Sequence, residues 1–101
     1  MITQTELKDI LDYNTETGIF TWKVYRQGIK GIGSVAGYLN KAGYIKIMIN
    51  GKIYQAHRLA WFYINGEWPK NYIDHINGQK DDNRIENLRD VTRRQNQQNR
   101  I

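Results

Sequence analysis

The dipeptide Asn50-Gly51 stands between two β-prone runs, and this arrangement limits the possible folds of the chain more than any other feature. Asn-Gly readily adopts the two positive φ angles that a two-residue type I′ turn requires. The sequence therefore predicts an antiparallel hairpin with strands at residues 44–49 and 52–56 and with Ile49 opposite Lys52. Side chains alternate between the two faces of a sheet, so this register fixes which residues share a face. One face carries Ile45, Ile47, Tyr54 and Ala56, which we expect to be core.

The second face of the hairpin is a mixture of polar and large apolar side chains. It carries Tyr44, Lys46, Met48, Ile53 and Gln55. Many antiparallel sheets have one face in water, and a solvated face is the simpler interpretation here. A cation beside an aromatic ring would also suit contact with DNA, so both interpretations stay open at this point.

Two helices are predicted on either side of this hairpin. Apolar residues at helical spacing predict a first helix that begins after an N-cap at Thr3 or Thr5 and ends near Asn14. A β-prone strand follows at residues 19–24, and a second helix is predicted at residues 57–64. Together these elements indicate an α+β fold.

Chain length and composition favour one compact domain over residues 1–101. The three Trp, seven Tyr and two Phe residues supply enough apolar surface for one modest core. The absence of cysteine excludes a disulfide scaffold and a thiolate zinc site. No apolar run approaches the roughly 18 residues of a membrane span, and the first residues do not open a signal peptide. We therefore expect a protein of the cytoplasm without a membrane partner.

Positive charge is concentrated in the middle of the chain. Residues 21–73 contain eight Lys or Arg residues and one acid, whereas residues 1–20 are net acidic and residues 74–101 are nearly balanced. A basic surface attracts polyanions, because each Lys or Arg placed on a phosphate releases condensed counterions. Charge alone leaves two interpretations open, a nucleic-acid partner and ordinary solubility.

The last third of the sequence has a different pattern. Short β-prone runs at residues 72–76 and 87–91 flank a polar connection, and Thr92-Arg93-Arg94-Gln95 matches a helix-starting capping box. The helix predicted from Thr92 carries almost no apolar residue. A helix of this kind is solvent-bridging, weakly stable, or packed against a polar neighbour such as a metal or a phosphate.

The pair Asp74-His75 lies at the end of the first of these strands. Phosphodiester hydrolysis needs a base that deprotonates water and a cation that stabilises the leaving oxygen. A neutral histidine suits the first task, and an aspartate with a hard divalent cation suits the second. An Asp-His pair by itself is more often a turn cap beside a surface histidine, so the dipeptide alone does not decide between the two.

A longer set of residues resembles the phage-type HNH endonucleases, which include intron-encoded and free-standing homing enzymes. The matching segments are His57–Trp61, Ile73–Gly78, Asp82–Arg89, and Val91-Thr92 with Asn96, and the segment Asp12–Trp22 looks like the opening of such proteins. The resemblance implies a ββα-metal (His-Me finger) nuclease motif at residues 72–101. Residues 1–71 would then be a scaffold and DNA-binding part, in the cytoplasm of a phage-infected or bacterial host cell.

The same resemblance implies a role for each matching residue. His75 would be the general base, and Asn87 would orient its ring through a hydrogen bond. Asp74 and Asn96 would hold one divalent cation. Many members of the family have histidine where this chain has Asn96, and an all-oxygen ligand set favours Mg²⁺ or Mn²⁺ over Zn²⁺. Asn99, one turn further on, is the alternative ligand.

Basic residues near these positions are the candidates for contact with DNA. They are Lys46, Arg58, Arg89, Arg93 and Arg100. On the predicted helix, Arg93 and Arg100 share a face with Asn96, which suits phosphate binding but also describes a solvated basic face.

The resulting hypothesis is an enzyme that nicks or cuts double-stranded DNA by a one-metal mechanism, acting as a monomer, with a dimer left open. A non-catalytic DNA-binding module is the main alternative. An RNA-binding protein is a third, weaker interpretation.

Overall fold

The computed structural model describes residues 2–91 of the chain, in which two helices alternate with short antiparallel strands. The elements are α1 (Gln4–Ile10), β1 (Leu11–Asn14), β2 (Ile19–Trp22), β3 (Tyr38–Leu39), β4 (Ile45–Ile49), β5 (Lys52–Gln55), α2 (Ala56–Asn65), β6 (Tyr72–His75), a 3₁₀ turn (Ile85–Asn87) and β7 (Leu88–Val91). This is the predicted α+β architecture. Within the described range, no helix has the length and apolar character needed to cross a membrane.

The β4–β5 hairpin has the predicted turn and register. Asn50 and Gly51 take φ angles of 52° and 80°, and Ile49 pairs with Lys52. The face expected to be core is the buried one, with Ile47 and Ala56 almost fully inaccessible. The opposite face exposes Met48 and Ile53. The short strand β3, which the sequence did not indicate, extends the sheet by pairing with β4.

The first helix is shorter than predicted. Thr3 is the N-cap, and its side chain and that of Glu6 form a reciprocal capping box. The helix ends at Ile10, and residues 11–14, which were expected to be helical, form β1 and pair with β2. The extended backbone buries Leu11 completely and lets Tyr13 pack on Phe20, with ring centroids 4.8 Å apart. This tertiary packing outweighs the helical spacing of the sequence.

Helix α2 packs against the β4–β5 hairpin and supplies much of the core. It buries Leu59, Ala60 and Phe62, and it ends at Gly66, whose φ of 75° is the left-handed cap that glycine favours. Within the described range, most buried apolar side chains belong to one cluster that extends from Ile2 to Leu88. The cluster therefore connects the N-terminal helix with the last strand.

Strands β6 and β7 form a separate two-stranded sheet. In its register Asp74 faces Arg89 and His75 faces Leu88. Both strands are one residue shorter than predicted, since Ile76 and Asn87 lie in the connection between them. The helix predicted from Thr92, with its residues Arg93, Asn96, Asn99 and Arg100, lies outside the described residues.

Candidate active site

The end of β6 places Asp74 and His75 in different surroundings. Neighbouring residues of a strand point to opposite faces, and this pair is the last of its strand. The side chain of His75 is buried, whereas that of Asp74 keeps 22% of its surface exposed. The strand therefore presents a partly exposed carboxylate beside an enclosed imidazole.

Asn83 holds the imidazole ring of His75. The distance between His75 Nε2 and Asn83 Oδ1 is 2.9 Å, and Asn83 is almost completely buried. An amide oxygen only accepts hydrogen bonds, so Nε2 carries the proton in this contact. In the tautomer that has its proton on Nε2, the lone pair is on Nδ1, and this is the atom that can accept a proton from water.

Asn87 does not make the predicted hydrogen bond to His75. Its amide nitrogen donates to Asn77 Oδ1 and to the carbonyl of Asp82, both at 2.9 Å, and its own oxygen accepts from the Asn77 backbone at 3.0 Å. These bonds tie together the two ends of the β6–β7 connection. The role expected of Asn87 on the ring is thus taken by Asn83, four residues earlier, and Asn87 shapes the loop that carries Asn83.

An arginine from the neighbouring strand pairs with Asp74. Arg89 lies opposite Asp74 in the sheet register. Its Nη2 and Nε atoms donate to Asp74 Oδ2 at 2.6 and 3.3 Å. Arg89, expected to contact DNA, thus neutralises the carboxylate that was expected to hold the cation.

The donor chemistry around Asp74 fits a hard divalent cation. A partly exposed carboxylate is a ligand that Mg²⁺ and Mn²⁺ accept, and it leaves room for water in the remaining positions. Among residues 2–91 no group of three His, Asp or Glu side chains gathers around a common point. The second expected ligand, Asn96, lies outside that range, so the described part of the site offers one candidate ligand, Asp74.

Comparison with known proteins bears directly on this site. Residues 54–98 match a family model described as HNH endonuclease. The chain is also similar to a solved structure described as "DNA binding and cleavage by the HNH homing endonuclease I-HmuI". The TM-score is 0.65 and the identity is 29%, over 89% of this chain and 51% of that one. The resemblance to the HNH endonucleases is confirmed. A search of curated proteins found no match.

The similarity to I-HmuI has a defined extent. This chain spans about half the length of the I-HmuI chain. The matched family segment begins in β5 and includes α2, β6 and β7. It therefore contains Asp74, His75, Asn83 and Asn87, and we refer to residues 54–98 below as the HNH segment.

A second histidine of the HNH segment lies against the first. The rings of His57 and His75 are nearly perpendicular, with centroids 5.1 Å apart, and Tyr44 packs 5.6 Å from His57. The pKa of His57 is lowered to about 4, first by burial and then by electrostatic interactions with His75, Arg58 and Lys46. At physiological pH, His57 is therefore neutral, and its ring packs against that of His75.

The N-terminal hairpin supports the HNH segment from outside it. The hydroxyl of Tyr13 donates to the carbonyl of Asn83. At Gly18, an added methyl group would lie 2.3 Å from the Arg84 nitrogen and 2.4 Å from the Asn83 carbonyl carbon, so only glycine allows this approach. The β1–β2 hairpin, which sequence reasoning treated as scaffold, thus contacts the backbone of the residue that holds His75.

Of the other four residues expected to contact DNA, two lie within the described range. Arg58 lies on α2 with its guanidinium 6.0 Å from the centre of the Trp68 ring. Lys46 lies on β4 and acts electrostatically on His57. Arg93 and Arg100 lie outside the described residues. Within the described range, Arg89 is the one of these five residues that forms a hydrogen bond to Asp74.

Asn83 lies within the matching segment Asp82–Arg89, but the sequence alone indicates no separate role for it. His57 likewise lies in a matching segment, His57–Trp61, and was given no separate role there. The signal for Asn83 was its position between Asp82 and Arg84, which form a charged turn. Arg84 donates to both carboxylate oxygens of Asp82 at 2.8 Å, and this pairing lowers the Asp82 pKa to about 2.

Proposed function

We propose that this protein is an HNH DNA endonuclease that hydrolyses phosphodiester bonds with one divalent cation, Mg²⁺ or Mn²⁺. The observation that carries the proposal is the His75–Asn83 contact beside Asp74, within the segment that matches the HNH endonuclease family. It supplies an imidazole with a defined free nitrogen next to an oxygen ligand for a cation. These are the two requirements of metal-assisted phosphodiester hydrolysis.

His75 is the general base in this mechanism. Its Nδ1 atom takes a proton from a water molecule, whose oxygen attacks the phosphorus, and the bond from phosphorus to the 3′ oxygen breaks. Asn83 keeps Nε2 protonated through the 2.9 Å contact and so keeps the lone pair on Nδ1. Asn87 acts one step further away, by fixing the loop that carries Asn83.

Asp74 and Asn96 would hold the cation. A bound cation would supply positive charge for the scissile phosphate and the leaving oxygen. The carboxylate of Asp74 is accessible from solvent for this role. Asn96 follows the predicted N-cap Thr92 by about one helical turn, which favours it over Asn99 as the second ligand.

Double-stranded DNA is the proposed substrate, bound by the protein as a monomer. The similar I-HmuI structure is described as one of DNA binding and cleavage. The basic middle of this chain, with Lys46 and Arg58 near His57, supports contact with the phosphate backbone. Arg93 and Arg100 would extend these contacts from the predicted C-terminal helix.

Plasmid relaxation tests the proposal. Supercoiled plasmid is incubated with the protein and Mg²⁺ or Mn²⁺, and the nicked and linear products are quantified after gel electrophoresis. We expect cleavage that EDTA stops and that His75→Ala abolishes while DNA binding and the circular-dichroism spectrum are retained. DNA binding that survives EDTA, with no cleavage under any divalent metal, would instead support the non-catalytic DNA-binding module.

A further inference from the structure

We propose that Arg89 competes with the divalent cation for Asp74, and that phosphate from bound DNA relieves this competition. Arg89 would thereby couple DNA binding to metal binding. The inference rests on the proposed function, because it takes Asp74 as the metal ligand.

The sheet itself enforces the contact between the two residues. Asp74 and Arg89 are direct partners in the antiparallel β6–β7 register, so their side chains leave the sheet on the same face. Two guanidinium nitrogens of Arg89 converge on one carboxylate oxygen, Oδ2. The pairing is therefore built into the strand register and does not depend on a mobile loop.

Charge explains why the pairing lowers metal affinity. Asp74 contributes one negative charge and Arg89 one positive charge, so the pair offers a dication no net attraction. The guanidinium also occupies an oxygen that a metal would use. In DNA-free protein the described part of the site is consequently a poor cation site, although its ligand type is suitable.

The partial exposure of Arg89 allows its guanidinium group to dissociate from Asp74. The side chain of Arg89 keeps 40% of its surface accessible. Ion pairs with this much solvent contact are weak. Guanidinium groups bind phosphate in a bidentate manner, so a DNA backbone beside the sheet is a stronger partner for Arg89 than Asp74 is. Transfer of the guanidinium to phosphate leaves both Asp74 oxygens to the cation.

Thermodynamic linkage between metal binding and DNA binding gives the inference a measurable consequence. If DNA removes the competitor of the metal, DNA raises metal affinity, and the metal raises DNA affinity by the same factor. Removing Arg89 should strengthen metal binding in the absence of DNA and reduce the coupling between the two ligands.

Mn²⁺ binding measured by electron paramagnetic resonance tests this without any cleavage. The background is His75→Ala, so that duplex DNA stays intact, and each variant is titrated with and without the duplex. We expect Arg89→Gln to bind Mn²⁺ roughly fivefold more tightly without DNA, with a coupling factor that approaches one. Arg89→Lys keeps the positive charge but not the planar guanidinium group. Its Mn²⁺ affinity should lie between that of the protein with Arg89 and that of Arg89→Gln. Lys70→Gln, which removes a positive charge from an exposed residue before β6, is the matched control and should leave Mn²⁺ affinity unchanged.

Asp74→Asn separates this inference from the proposed function. If Asp74→Asn weakens Mn²⁺ binding but Arg89→Gln does not strengthen it, the competition is refuted and the proposed metal site stands. If Asp74→Asn leaves Mn²⁺ binding unchanged, the assignment of Asp74 as a ligand fails, and both proposals fall with it.

Discussion

Asn83 contacts His75 through its side chain and Tyr13 through its backbone. Its side-chain oxygen lies 2.9 Å from His75 Nε2, and its backbone carbonyl accepts a hydrogen bond from the hydroxyl of Tyr13. The imidazole proposed as the base is therefore positioned by a residue that the N-terminal hairpin holds. Because Asn83 is almost completely buried, neither contact is easily replaced by water.

Asn83→Ala should lower the rate of DNA cleavage without abolishing DNA binding. Loss of the oxygen partner frees the ring to change tautomer and orientation, and changes to such supporting residues typically cost about 10- to 100-fold in activity. Single-turnover cleavage gives the rate, and fluorescence anisotropy gives the DNA affinity. An unchanged cleavage rate in a folded variant would show that the His75 ring does not depend on Asn83.

Asn87→Ala should act mainly on stability. Its buried amide makes three hydrogen bonds within the β6–β7 connection, and their loss removes the partner of the Asn77 backbone nitrogen and of the Asp82 carbonyl. We expect the free energy of unfolding to fall by about 2 kcal/mol or more. Chemical denaturation measures this loss. If Asn87 instead acted directly on the ring, activity would fall with little change in stability.

Local patterns explain which parts of the fold were predictable. The turn at Asn50-Gly51 and the cap at Gly66 depend on φ angles that few residues adopt, so hairpin, register and helix end follow from neighbouring residues. Leu7, Ile10 and Leu11 also have helical spacing, yet Leu11 belongs to a strand. Its conformation is decided by pairing with β2, which the local sequence does not encode.

The sequence predicted which residues belong to the candidate site better than it predicted which of them contact each other. The resemblance identified Asp74, His75 and Asn87, but spacing could not tell which asparagine reaches the ring. That choice is made by the 3₁₀ turn at Ile85–Asn87, which directs Asn87 into the connection. The pairing of Asp74 with Arg89 required the strand register, which appears only once the two strands are aligned.

Gly18→Ala should destabilise the protein more than Gly28→Ala. Both glycines have positive φ angles, 73° and 90°, so both substitutions strain the backbone. Only at Gly18 would the added methyl group meet backbone atoms, those of Asn83 and Arg84, whereas it meets nothing within 4 Å at Gly28. We expect a larger fall in melting temperature and a slower cleavage rate for Gly18→Ala. Equal effects of the two substitutions would argue against support of the site by the N-terminal hairpin.

Protein stability should fall as the pH decreases from 6.5 towards 4, because of His57. Its pKa is lowered from 6.5 to about 4, first by burial and then by electrostatic interactions with His75, Arg58 and Lys46. In that interval the unfolded chain binds a proton at His57 that the folded protein does not, so acid favours unfolding. The slope from this group is at most about 1.4 kcal/mol per pH unit.

Urea denaturation at pH 7, 6, 5 and 4.5 measures this slope, and His57→Phe is the matched variant that keeps an aromatic ring without a titrating nitrogen. The variant should lose most of the decrease seen in the parent protein. Asp82 does not obscure the comparison. Hydrogen bonds from Arg84 lower its pKa from 3.8 to about 2, so its stabilising contribution is complete above pH 3.8 and is lost only as the pH falls through about 2. The same slope in the parent and in His57→Phe would exclude His57 as its source.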